Sequence, residues 1–302
     1  MSSLNLNQTM KYSNFWQSVL PIQIILIILT IFTNLSILLT ILFKIKVNKY
    51  SHNLFLSIAM SDLIVGCVSM PFMTLLNQFS HWPSTNRLCL IWIIVDYSSA
   101  TISLLSILLL TIQRYCLIKN PYRTKETLTI MKLLIIMWIW IFTFIYWIIS
   151  VLTISNMNGF DYLNCYLNYK WAYILFSDLI GFGIPIILII FFSILTIIEL
   201  KNKTNNKGDE QMIDENVKTI RSHKMESAYW CIVLVFLNIF FSWLFFVIIW
   251  PINSYCNGCI DFSIMYISGW IGYLASFNNS IIMFIFNSTI RDNFFKILKG
   301  QK

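Results

Sequence analysis

The chain has 302 residues, 58% of them hydrophobic and 11% charged, with a net charge of +8 and a mean hydropathy of +0.72. A water-soluble domain carries roughly 25% charged residues, so this composition excludes one: too few charges remain to cover a wetted surface. The positive excess does not point to nucleic acid, because the basic residues flank apolar runs, as they do at the cytosolic face of a membrane.

The first 20 residues are polar and hold no apolar stretch ending in a small-residue cleavage site. No cleavable signal peptide is expected, and the first membrane helix takes that role. Residues 1–21 read as an extracellular tail in which Asn7-Gln8-Thr9 is a glycosylation sequon. A spanning helix needs about 20 apolar residues. Seven runs qualify: Ile22–Phe43, Asn53–Leu76, Leu88–Ile118, Leu133–Ile154, Trp171–Glu199, Ala228–Pro251 and Phe262–Phe286. Their long Ile, Leu and Phe stretches predict lipid-facing helices rather than core strands. Residues 22–286 are therefore expected to form an all-α, seven-helix transmembrane bundle. Beyond it, in residues 287–302, apolar residues at 290, 294, 295, 297 and 298 suit a short amphipathic helix on the inner leaflet. All but three of the 21 Lys and Arg residues fall on one side of the seven spans; the exceptions are Lys11, Arg87 and Lys170. That bias places the C-terminus in the cytoplasm and the N-terminus outside.

The outer half holds Cys89, Cys165, Cys256 and Cys259, on a side where disulfides persist. A Cys89–Cys165 bridge would pin the loop before the fifth span over the mouth of the bundle. A Cys256–Cys259 bridge would close a tight ring, with Gly258 easing the turn. Zinc or redox chemistry at this C-x-x-C is disfavoured, since no second Cys pair or His cluster lies nearby. Cys67, Cys116 and Cys231 read as packing residues.

An ionisable group at membrane depth costs roughly 2.5–3.5 kcal/mol on insertion scales and is a functional candidate by default. Asp62, Asp96 and Asp178 stand in the second, third and fifth spans. Asp96 is two turns below Cys89 on the same face, about 10 Å beneath the outer rim. A carboxylate there can hold a cation, with Trp92, Tyr97 and Tyr273 as an aromatic cage. The alternative is a structural carboxylate satisfied by hydroxyls. Asp62 lies deeper, and with Asn34, Ser103 and Asn279 it makes a polar cavity suited to sodium or water, or else a packing cluster. Asp178, two turns outward of Pro185, matches Asp96 in depth. Beside Ser177, and with Gly181 leaving space one turn below, it suits a ligand with two polar ends. The alternative is an Asp178 bonded near the rim that never meets ligand.

Taken in order, these residues resemble the aminergic branch of the rhodopsin-like (class A) G-protein-coupled receptors, most like the muscarinic acetylcholine and histamine receptors. The resemblance runs from about Thr33 to Leu298. It rests on Thr33-Asn34, on Asn53-Leu54 through Ser61-Asp62 to Gly66, and on His81-Trp82-Pro83 before Cys89. It continues with Trp92, Asp96-Tyr97, Arg114-Tyr115, Trp140, Phe182 and Pro185, and with Cys256 and Cys259 before Trp270-Ile271-Gly272-Tyr273. It implies that Asp96 pairs with a ligand amine, that Tyr273 hydrogen-bonds Asp96, and that Trp270, Ser177, Asp178 and Gly181 line the site. It also implies that Gln113, Arg114 and Tyr115 form the G-protein coupling segment. Several positions depart from the family. Asp-Arg-Tyr is Gln113-Arg114-Tyr115. The sixth-span Cys-Trp-x-Pro-Tyr reads Ser242-Trp243-Leu244-Phe245-Phe246, with Trp243 and Phe246 at the site and Phe240 as the alternative register. The Asn-Pro-x-x-Tyr of the seventh span is Asn279-Ser280-Ile281-Ile282-Met283. Ser193 stands where the fifth span's Tyr is expected, and Val247 where muscarinic sites carry Asn.

The expected partners are a small protonated amine (histamine-like, tyramine- or octopamine-like, or acetylcholine-like), a heterotrimeric G protein and membrane lipid, with no nucleic acid. No cofactor is expected apart from a sodium ion at Asp62, and no other metal. The expected location is the plasma membrane. An enzyme is disfavoured: no nucleophile–base pair or metal cluster sits at membrane depth, and His52, His81 and His223 all lie near membrane surfaces. A small transporter would show paired broken helices and internal repeats, and none is visible. A receptor fold that no longer signals is the remaining rival.

Overall fold

A computed structural model describes residues 6–44, 50–79, 81–120, 129–156, 160–163, 165–167, 171–205, 215–256 and 259–299. The helices are α1 (Leu6–Lys44), α2 (residues 50–79), α3 (Asn86–Lys119), α4 (Thr129–Asn156), α5 (residues 171–205), α6 (Glu215–Tyr255), α7 (Phe262–Phe286) and α8 (Ser288–Leu298). Among the described residues, seven helices are long and apolar enough to cross a membrane, and the seven predicted runs fall on them in order. The outer loop before α5 adds a two-residue antiparallel pair, β1 (Phe160–Asp161) with β2 (Tyr166–Leu167).

Most boundaries match the sequence reading, and the differences have local causes. Helix α1 begins at Leu6, ahead of the expected Ile22, and passes through Pro21. Trp16 explains the extension: it is buried, its carbonyl accepts from Gln78 Nε2 at 2.8 Å, and its ring meets Tyr266 edge-on at 6.4 Å. Part of the expected tail therefore packs against α2 and α7. The side chain of Asn7 lies outside the described residues, as does Cys231. Helix α6 runs through Pro251 and past both expected ends.

Pro71 and Pro185 have no N–H to give to the helix. A π-turn precedes each, over Val65–Ser69 in α2 and Leu179–Gly183 in α5. Such turns re-aim the side chains beside them, here Ser69 and Asp178. Side-chain caps set three starts: Thr85 for α3, Asp261 for α7 and Asn287 for α8.

Helix α3 is the buried axis, while α4 turns Trp138, Ile141, Phe142, Ile145 and Ile149 outward, the expected lipid-facing side of an apolar helix. Three buried polar ties hold α2, α3 and α4. Ser57 and Ser106 share a hydroxyl bond of 2.9 Å. Trp140 Nε1 donates to Ser57 Oγ at 2.9 Å. Trp147 Nε1 donates to Thr101 Oγ1 at 2.9 Å. The edge of the Trp147 indole abuts Gly181, where an added Cβ would stand 2.9 Å from its Cζ2. Overpacking of this kind typically costs about 1–3 kcal/mol. Gly181→Ala is expected to lower the melting temperature of the detergent-solubilised protein by a few degrees. An unshifted melting curve would show that the indole moves aside freely.

Candidate ligand site and polar core

The Cys89–Cys165 disulfide, with a Cα–Cα distance of 5.8 Å, anchors the outer loop to the top of α3. Cys165 has φ 50°, a left-handed conformation that side chains rarely adopt, and the bridge holds it there. Trp82 N, in the connection between α2 and α3, donates to Leu163 O of this outer loop at 2.7 Å. The second bridge, Cys256–Cys259, closes the short loop between α6 and α7.

Two turns below Cys89, Asp96 is half-buried. Its Oδ1 is sealed from solvent and has no hydrogen-bond partner among the described residues. The hydroxyls of Ser69 and Tyr273 face this carboxyl. Both also fall short of a closed hydrogen bond, so acid and hydroxyls stand as unlatched neighbours. Asp178 is 6% exposed, and its Oδ2 likewise has no partner among the described residues. Tyr97 lies within electrostatic reach of both carboxyls. Its ring stacks on Trp147 at 4.7 Å and meets Phe246 edge-on at 6.0 Å.

The expected ligand residues divide into two neighbouring groups. Tyr97, Ser177, Asp178 and Phe246 line one cavity together with Trp147 and Trp250. Asp96, Trp270 and Tyr273 form the other group, in which the rings of Trp270 and Tyr273 meet at 5.8 Å. Trp92 is engaged elsewhere: its Nε1 donates to Ser69 O at 3.2 Å and its ring stacks on Trp82 at 5.2 Å. The cavity beside Asp178 measures only about 10 Å³, room for roughly one water. The space expected at Gly181 is taken by the Trp147 indole, which corrects the expectation of ligand room there. Trp147 and Trp250 were missed in the sequence. Trp147 had a signal, since it stands two turns from Trp140 on the same face of α4.

Trp243 occupies the junction beneath both groups. It stacks on Phe182 of α5 at 5.8 Å, and meets Phe246 at 5.4 Å and Tyr273 of α7 at 6.4 Å. Its ring lies 3.2 Å from where a Cβ on Gly272 would be. Phe240 is only half-buried and packs on Phe236 and Phe241. The structure therefore places Trp243, not Phe240, at the bundle axis.

Deeper in the bundle, both oxygens of Asp62 accept from α7: Oδ1 from Ser276 Oγ at 2.9 Å and Oδ2 from Asn279 Nδ2 at 3.0 Å. Ser103 faces the same carboxyl. Asn34 joins by donating to Ser276 O at 3.1 Å. The sequence reading missed Ser276 and the α6 partner, Asn238. Asn238 Nδ2 donates to Ala275 O and to Asn279 Oδ1, each at 2.9 Å. Its own Oδ1 accepts from Asn278 Nδ2 at 3.0 Å.

Near the inner end of α3, Gln113, Arg114 and Tyr115 are half-buried. Gln113 Oε1 has no hydrogen-bond partner among the described residues. Tyr115 packs on Phe192 of α5 at 5.9 Å, and its hydroxyl accepts from Lys119 Nζ at 2.9 Å. Ser280 Oγ donates to Thr33 Oγ1 at 2.7 Å, Met283 is buried, and Phe245 faces outward.

The chain matches the family described as 7 transmembrane receptor (rhodopsin family) over residues 33–282. It is 24% identical to the 5-hydroxytryptamine receptor 2C of Mus musculus over 335 residues, covering 91% of this chain and 71% of the relative. The corresponding receptor of Rattus norvegicus is 22% identical over 336 residues, with the same coverage. The histamine H1 receptor of Bos taurus is 32% identical over 127 residues, covering 40% of this chain and 26% of the relative.

Asn238 is the clamp between α6 and α7. Removing it leaves the Asn279 and Asn278 amides short of partners, at a typical cost of about 1–3 kcal/mol. Asn238→Leu, which removes the donor to Ala275 O and Asn279 Oδ1 and the acceptor for Asn278, is expected to lower the melting temperature of the detergent-solubilised protein by a few degrees. An unshifted melting curve would show that the clamp contributes nothing.

Proposed function

The chain belongs to the rhodopsin family of seven-transmembrane receptors, and we propose that it binds a small protonated amine and activates a heterotrimeric G protein. The family consists of receptors, not enzymes. Relatives named for 5-hydroxytryptamine and histamine support an amine ligand. The single observation that carries the reading is Asp96, a carboxyl on the bundle axis with an oxygen shut from solvent and no partner among the described residues. An ammonium completes it through a charge-assisted hydrogen bond, strengthened by the low dielectric. The Tyr273 hydroxyl faces it, and Tyr97 lies within electrostatic reach. Ser177 and Asp178 supply a second polar end, which favours histamine or a diamine, then tyramine or octopamine.

The route to the G protein follows from packing. A ligand that shifts Tyr273 or Phe246 presses on Trp243, which touches both and is wedged against Phe182. Movement there levers α6 against α5. The ligand acts by binding one of two bundle arrangements better than the other. The Lys and Arg bias supports an extracellular N-terminus and a cytoplasmic C-terminus in the plasma membrane. At Asp62, the carboxylate and the Ser103 hydroxyl, which has no partner among the described residues, form an oxygen donor set that fits a sodium ion. When bound, the ion would join α2 and α3 at the α7 network.

A second reading, a receptor fold that no longer signals, is favoured by Gln113, Phe245, Ser280 and Met283, which replace the family's switch residues. A radioligand screen across biogenic amines, run beside a G-protein assay, separates the two. Binding with coupling supports the receptor, and neither response to any amine supports the second reading.

Two variants test the parts. Asp96→Asn keeps the shape and removes the charge, and should weaken amine binding by about 2–5 kcal/mol. Unchanged affinity in a well-expressed Asp96→Asn protein sinks the anchor assignment. Gln113 is neutral, and its Oε1 has no hydrogen-bond partner among the described residues, where the resemblance implies an acid that holds Arg114, so Gln113→Asp should lower ligand-free signalling. The assay is basal nucleotide exchange on a reconstituted G protein, and an unaltered basal rate in a coupling-competent receptor removes the proposed lock.

A further inference from the structure

Asp178 faces two spaces. On its inner side lies the nearly closed cavity of about 10 Å³ with Tyr97 and Ser177. On its other side a crevice of about 130 Å³ separates α5 from α6, with walls formed by Leu179 and Phe182 of α5 and by Ile239, Trp243, Leu244 and Val247 of α6. Gly183, at the end of the π-turn over Leu179–Gly183, is part of its wall, with the Leu179 side chain lying over it. Leu179, at its rim, is 48% exposed on the outer face of the bundle, so the crevice opens toward lipid. Among the described residues, Asp178 is the only ionisable group on its walls. It is more than nine-tenths buried, with an unpartnered oxygen among the described residues.

Size and charge together define an occupant. An engineered cavity of about 150 Å³ lined by Leu, Ile and Phe stays dry and takes up benzene, so this crevice has room for about one aromatic ring. An apolar slot ending at an unpaired carboxylate matches a ring joined to an ammonium. A plain acyl chain would fill the slot and leave Asp178 unpaired, at the cost of an uncompensated ionisable group.

We propose that the α5–α6 crevice is a membrane-facing subsite for an amphiphilic amine, its ammonium on Asp178 and its aromatic end between Leu179, Leu244 and Val247. The subsite rests on the amine-receptor reading for its ligand class but not on Asp96 as the anchor. Its occupant enters sideways from the bilayer and lodges against Trp243, the ring that joins α6 to α5 and α7.

The test uses the full chain in lipid nanodiscs with a phenethylamine carrying an aryl diazirine, and its neutral alcohol analogue as control. After irradiation, labelled residues are located by peptide mass spectrometry. The amine should label Leu179, Leu244 or Val247 saturably. The alcohol, and the amine on Asp178→Asn, should label these positions roughly thirtyfold less, the loss expected when a buried charge pair loses one partner. Leu244→Trp, which fills the slot and leaves Asp178 intact, should block the labelling too and serves if Asp178→Asn fails to fold. Equal labelling by the alcohol overturns the proposal, since the crevice then takes any lipid-like chain. Labelling confined to Trp270 and Tyr273 also overturns it, while leaving Asp96 as the amine anchor. Absence of saturable labelling anywhere overturns both the subsite and the amine reading.

Discussion

Both oxygens of Asp62 are taken by α7, and the inner half of the bundle is organised around that fact. A carboxyl at this depth cannot face lipid without a cost of several kcal/mol. Ser276 and Asn279 satisfy it. Asn279 is in turn held by Asn238 of α6, and the Ser276 carbonyl is held by Asn34 of α1. Four helices thus meet through one acid. In a bundle whose outer face is apolar, helix–helix association draws on close packing and such interhelical hydrogen bonds, and a partly satisfied network is worse than none. Among the described residues, Ser103 Oγ is the member of this cluster left without a partner.

Asp96 and Asp178 are under the same constraint and meet it differently. Each keeps a buried oxygen without a partner among the described residues, although hydroxyls stand near Asp96. An acid left open in this way is what the proposed amine site requires. That contrast, more than the mere presence of three acids, separates a structural carboxyl from two candidate binding carboxyls. The aromatic rings between them make one continuous body. Tyr97 leads to Trp147 and Phe246, and Phe246 leads to Trp243, which leads to Phe182 and Tyr273. Close-packed interiors are not continuously deformable, so a ligand that parts Phe246 or Trp243 from a ring on another helix must displace α6 or that helix.

The inner end of α3 lacks the charge that would hold Arg114 in the family pattern, because Gln113 is neutral. Helix α7 has also replaced its usual contacts. Ser280 bonds to Thr33 of α1, and Met283 is buried as an apolar plug. These substitutions fasten α7 to α1 without a proline break. The resulting helix is continuous from Phe262 to Phe286, a stiffer element than one interrupted by a residue lacking its N–H.

The sequence by itself determined the seven spans, their order and the amphipathic helix after them. Hydrophobic run length near Leu133–Ile154, or the alternation of Ile290, Phe294 and Phe295 with polar residues, depends only on local composition against a bilayer of fixed thickness. It also determined which acids matter, since any carboxyl in such a run is exceptional, and it made the pairing of Cys89 with Cys165 readable. Only the tertiary structure decided which polar groups meet. Asn238 and Ser276 look unremarkable in an apolar run, and they gain a role because α6 and α7 pack face to face. Trp147 filled the space expected at Gly181 because the α4–α5 approach is set by ring against backbone, a fit that spacing along one helix cannot encode. Asp178 likewise stood out as a carboxyl at ligand depth. That its larger open space lies toward α6 and lipid follows from how α5 and α6 are spaced, a distance between two helices that no local run of sequence encodes.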